Sequence, residues 1–102
     1  MTEKERKEKM LAFGQRVKFY REKLGMSQRE LGAKAGYVDG TNPASSIYKI
    51  EHGQIDVTQS KIYDLASALG VEPYDLIVSP QVARMIKYAE LIAKEGKENG
   101  VD

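Results

Sequence analysis

The segment Asn42 to Gly53, NPASSIYKIEHG, gathers polar side chains at a spacing that could do directed chemistry. Asn42 can cap a helix, Pro43 suits the first helical position, and Gly53 tolerates the left-handed conformation that ends one. At 100° per residue, Ile47 and Ile50 fall on one side of that helix, and Ser45, Tyr48, Lys49 and His52 fall on the other. The apolar pair seeks a core, which leaves a helix about 13 Å long with a hydrogen-bonding outer face. Such a face recognises a polar surface. No Ser/His/Asp arrangement, metal-ligand cluster or phosphate-cradling Gly loop can be assembled at workable spacing, so no enzyme activity, metal or cofactor is expected.

The elements around that helix are marked by their ends. Thr2 with Glu5 has capping-box spacing, and Met10, Phe13, Val17, Tyr20 and Leu24 then recur every three or four residues up to Gly25, which predicts a long first helix. Ser27 with Glu30 is a second capping box, followed by Leu31 and Ala35 and closed by Gly36. Thr58 opens a fourth helix carrying Ile62, Leu65, Ala66 and Leu69 up to Gly70. Glu72-Pro73 begins a short fifth through Leu76 and Ile77. Ser79-Pro80 starts a sixth, expected to run to about Glu95 before Gly96, with GKENGVD as a frayed tail. No stretch alternates with period two, so the class is all-α.

A chain of 102 residues fits one domain with a real core. It has no Cys and one His, which removes disulfides, thiolate metal sites and zinc clusters. No signal peptide or membrane span is expected, and the chain reads as cytoplasmic. Its net charge is only +1, but residues 1–49 carry +5 and residues 50–102 carry −4. The stretch EKERKEK (3–9) reads as a solvated helix surface.

A capped helix, a Gly-containing turn and a second short helix, Ser27 to Gly53, make a helix-turn-helix, whose second helix enters the DNA major groove. The strings REKLGMSQRELGAKAG (21–36), SIYKIEHG (46–53) and KIYDLASALGVEPYDLI (61–77) occur in that order and cover most of residues 13–78. In this the chain resembles the lambda-repressor-like or Xre-type regulators of phages and bacteria. The resemblance implies a five-helix DNA-binding domain over residues 1–78, with the helix-turn-helix at 27–52, and an additional C-terminal helix and tail over 79–102.

It also implies residue roles. Helix 43–52 would read base edges: Ser45 can donate or accept there, Lys49 can donate to guanine, and Ala44 can touch a thymine methyl, with Tyr48 on the same face. Gln28, with Arg29 beside it, matches the position that grips a phosphate at a helix N-terminus. Arg21 and Glu51 match a pair that the family uses as an internal salt bridge. His52 reads as rim or solvent. The chain departs from the pattern twice. Tyr37 to Ser45 lengthen the turn beyond the family's usual four or so residues, and Thr41 and Asn42 in it are expected to face the duplex while Asp39-Gly40 turns away. Gln54-Ile55-Asp56-Val57 lacks the Lys or Arg that members often carry after the third helix.

On the sixth helix, Val82, Met85, Ile86, Tyr88, Ala89, Ile92 and Ala93 span an arc of about 160°, wider than the roughly 100° needed to pack on its own domain. Val82, Met85, Ile86, Ala89 and Ile92 are therefore candidate dimerisation residues, since paired half-sites suit a two-fold partner. The expected function is a sequence-specific, double-stranded DNA-binding transcriptional repressor, a homodimer on a palindromic operator. The alternative is an antitoxin-like module whose C-terminal helix binds a partner protein.

Overall fold

Short polar caps and glycines divide the chain into α1 (Glu3–Lys23), α2 (Gln28–Lys34), α3 (Pro43–Glu51), α4 (Gln59–Leu69), α5 (Pro73–Ile77) and α6 (Pro80–Glu98). The computed structural model describes residues 1–37 and 42–98, with no side-chain description for 97 and 98. Five helices form the domain and α6 is added to it, as the motif order implies. The Ser27 side chain accepts from Glu30 N while Glu30 Oε1 accepts from Ser27 N, a reciprocal box that fixes the start of α2. Thr2, Asn42 and Thr58 cap α1, α3 and α4 in the same way, each accepting from a backbone N–H of the first turn.

The apolar stripes of the first five helices meet in one core of Val17, Leu31, Ala35, Ile47, Ile50, Leu65, Ala66, Leu69 and Leu76. Two sequence expectations fail at element ends. Leu24 is 53% exposed, because it is the C-cap of α1 and the left-handed Gly25 turns the chain before it can face inward; Met26 packs against the core instead. Helix α5 ends at Ile77, as its sequence reading has it, with Leu76 buried and Ile77 53% exposed. Helix α6 runs through Gly96 to Glu98 instead of stopping near Glu95, for Gly96 does not adopt the positive φ by which a glycine ends a helix. Residues 99–102 of the expected tail lie outside the described residues.

Close backbone approach positions α3. At Gly14 a Cβ would overlap the Ile50 carbonyl oxygen and lie 2.9 Å from Glu51 Cα, so α1 crosses the end of α3 backbone to backbone. Gly32 of α2 meets the Pro43 backbone at the other end of α3 in the same manner. At Gly53 the chain leaves α3 with φ +66°, and a Cβ there would sit 3.0 Å from the Leu11 backbone. Helix α6 attaches through buried Ala83 and an ion pair from Lys87 Nζ to Asp75 Oδ1 at 2.9 Å. The second Asp75 oxygen accepts from Glu72 N. The hydrogen bond to Asp75 raises the Lys87 pKa against the opposing effect of desolvation.

Gly14→Ala should therefore destabilise the protein by about 1–3 kcal/mol or more, through overpacking against backbone that has no rotamer to yield. Urea unfolding should show a lower midpoint with an unchanged slope. A midpoint equal to that of the parent would mean that α1 and α3 do not touch at this position.

Candidate nucleic-acid interface

Helix α3 buries Ile47 and Ile50 completely and turns Ser45, Tyr48, Lys49 and His52 to solvent. Ala44 is half-buried at its start. Asn42 is exposed, with its Oδ1 accepting from Ala44 N at 3.1 Å, so only its amide nitrogen is left for an outside acceptor. The rings of Tyr48 and His52 stack with centroids 3.9 Å apart, and His52 Nδ1 lies 2.8 Å from the Tyr48 carbonyl oxygen. This makes an aromatic step on the exposed face of α3. Thr41 and Asp39-Gly40 lie outside the described residues.

The position of that face is set by one carboxylate. Glu51, almost wholly buried, accepts from Arg21 Nε at 2.6 Å, from Arg21 Nη2 at 3.1 Å and from Gln28 Nε2 at 3.1 Å. Arg21 Nη1 continues to the Met26 carbonyl at 2.8 Å, which ties in the link between α1 and α2. The two-pronged pair raises the Arg21 pKa, chiefly through the hydrogen bond to Glu51, with burial acting against it. Three helices thus converge on the C-terminal turn of α3. Gln28 spends one amide N–H on this network and keeps a second for an outside acceptor. Arg29, next to it, is exposed.

A second brace was not anticipated from the sequence. Lys61, in the first turn of α4, donates from Nζ to the Ala35 carbonyl at 3.0 Å and lies 4.5 Å from the centre of the Tyr37 ring. It thereby satisfies the end of α2 and holds the first residue of the long turn. Burial, and then the charge of Asp64, push the Tyr37 hydroxyl pKa up. The one signal available was a cation at a helix N-terminus, where the dipole disfavours it unless another acceptor is near. After α3, Ile55 and Val57 pack inward against the core, so the segment that lacks cations is used for packing. On α6, Val82, Met85, Ala89 and Ile92 are exposed, whereas Ile86 is half-buried against its own domain.

Removing the Glu51 carboxylate strands a buried guanidinium. Glu51→Ala should cost about 3–5 kcal/mol, well above the 0–1 kcal/mol of an exposed pair. Thermal unfolding of this variant should fall steeply, and an unchanged melting temperature would place the pair in open water.

The Helix-turn-helix family model matches residues 17–76, from the middle of α1 to the end of α5. No curated protein matches the chain. Among solved structures it is similar to the restriction-modification controller protein C.AhdI from Aeromonas hydrophila, with 36% identity and a TM-score of 0.58 over 66% of this chain and 94% of that one. The family match spans more than half of the sequence, and the chain belongs to the lambda-repressor-like, Xre-type helix-turn-helix family of DNA-binding transcriptional regulators.

Proposed function

We propose that this protein is a sequence-specific repressor that reads operator DNA in the major groove with α3 and binds as a homodimer. The observation that carries the reading is the outer face of α3, where Ser45, Tyr48 and Lys49 stand free of the core on a helix locked from behind by Arg21 and Glu51. A short rigid helix with a bare polar face matches the width of a major groove, and Ser, Lys and Ala supply the hydroxyl, ammonium and methyl contacts that distinguish bases. Gln28, Arg29, Thr41 and Asn42 are assigned to phosphates and flanking base edges, the contacts that set position on the duplex. In this reading residues 1–78 are the DNA-binding unit and residues 79–102 the dimerisation element. The protein acts in the cytoplasm without an enzymatic step.

The apolar outer face of α6 supports the homodimer. Met85 is 70% exposed and Tyr88 66%, with Val82 and Ile92 beside them, an uncovered stripe that a two-fold copy of the same helix can match. The same stripe supports the second reading, an antitoxin-like module that uses α6 to hold a different protein. Met85→Glu separates the readings from a failure to fold, since Met85 is 70% exposed and not part of the core cluster. The variant should sediment as a monomer with an unchanged melting temperature and lose affinity for a full palindrome. A parent protein that is monomeric at all concentrations would leave α6 to a foreign partner.

Selection of genomic fragments with the purified protein is the experiment that tests the function, and one enriched palindrome is the expected result. The similarity to a restriction-modification controller makes promoters of restriction and modification genes the first operators to try. Binding should weaken with salt, log K falling by about 0.9 per neutralised phosphate for each unit of log salt. Lys49→Ala should relax preference at particular base pairs by about 1–3 kcal/mol, whereas Arg29→Ala should weaken every sequence alike. Equal losses for both variants on all sequences would reduce Lys49 to another phosphate contact.

A further inference from the structure

Where α1 runs past the connection between α3 and α4, it leaves a groove of about 590 Å³ that the DNA-reading face does not use. Its floor is apolar, formed by Met10, Phe13, Ile55, Val57, Ile62 and Ile77. One wall is cationic. Arg6, Lys9 and Arg16 also line it, and their spacing places them on the same stripe of α1 as Phe13.

These cations are open to an outside anion. Arg16 is anchored by its Nη1, which donates to the Ile77 carbonyl at 3.1 Å and more weakly to the Leu76 carbonyl at 3.4 Å, so its remaining N–H groups are held at the groove wall. Neither Lys9 nor Arg16 has an ion-pair partner among the described residues, and Arg6 has only an exposed contact with Glu3 at 3.7 Å. Asp56 is the acidic residue of the lining, and one of its oxygens is taken by Val57 N at 3.0 Å. A volume near 590 Å³ lies within the roughly 300–1,000 Å³ range of small-molecule sites, and an apolar floor beside a few fixed charges is their usual composition.

We propose that this groove binds a small amphipathic anion, one carboxylate carrying a medium-length alkyl tail. The tail lies on Phe13, Ile55 and Ile77, and the carboxylate meets Lys9 and Arg16. Duplex DNA does not fit this surface, because phosphates would match the wall but leave the apolar floor wet. The inference is independent of which DNA sequence α3 reads.

Decanoate is the probe, titrated into the 15N-labelled full chain below its micelle point, with decanol and decyltrimethylammonium in parallel. The expected result is saturable shifts of amides around Lys9 to Val17, Gly53 to Val57, Ile62 and Ile77, for decanoate above the other two. Lys9→Gln, at an exposed position without a partner, should weaken decanoate about twofold to fivefold, the range of one exposed ion pair, with no change in melting temperature. Shifts that follow the Met85 and Tyr88 face of α6 would overturn the proposal, as would equal binding of all three probes. Groove signals that respond to protein concentration and not to decanoate would assign the groove to a second copy. Binding to phosphatidylglycerol vesicles without any response to free decanoate would assign it to a lipid surface, and either outcome overturns the proposal.

Discussion

A carboxylate nearly out of reach of water must be answered by donors, and the arrangement of α1, α2 and α3 follows from how Glu51 is answered. The charge would be prohibitive alone in the core. Arg21 meets it with two N–H groups and Gln28 with a third, and each of these comes from a different helix than Glu51 itself. Apolar contacts tolerate sliding, but a planar guanidinium facing a planar carboxylate tolerates little. The core among Val17, Leu31, Ile47 and Ile50 supplies cohesion, and the ion pair supplies one register for it. Gly14 and Gly32 are part of the same constraint. Without side chains at these two positions, backbone approaches backbone closely enough for the Arg21 side chain to reach the end of α3.

Much of this was legible in the sequence because it is local. Caps such as Ser27 with Glu30, and the division of α3 into an Ile47/Ile50 side and a Ser45/Tyr48/Lys49 side, depend on residues within one or two turns. Errors fell at helix ends, where periodicity stops describing direction. Leu24 continues the stripe of α1 on paper, but it stands where the backbone is already turning. Gly96 shows the reverse case, since a glycine ends a helix only if something downstream draws it into the left-handed region. The Arg21–Glu51 pairing came from resemblance to a family and not from spacing, because thirty residues separate the partners. The contacts of Lys61 with Ala35 and of Gln28 with Glu51 had no such guide. Each joins groups whose nearness exists only after the helices have packed.

The charge asymmetry of the sequence acquires a partial explanation. One cation of the first half is neutralised within the protein, Arg21 by Glu51, and Arg16 lies away from the helix-turn-helix, tied by one N–H group to carbonyls of α5. Lys49 and Arg29 remain outward on the helix-turn-helix, so the net positive charge of residues 1–49 overstates what is available to a polyanion. The connection after α3 has no cation to add, and its Ile55 and Val57 fasten α4 to the core instead.

The attachment of α6 bears on how the molecule opens. Beyond Val78 and Ser79, this nineteen-residue helix is anchored near its start by Ala83 and by the Lys87–Asp75 pair. From Tyr88 to Glu95 its residues are exposed, so these turns rest on helix propensity, and a helix of that length is only marginally stable in water by itself. Amide protons in the packed turns of the first five helices should thus exchange most slowly, up to the limit set by the whole folding free energy. Those past Lys87 should exchange through local fraying, so that the chain opens in two units of unequal stability. Whatever molecule covers the α6 stripe would merge the two, and slow exchange in its last turns would mark how tightly it is held.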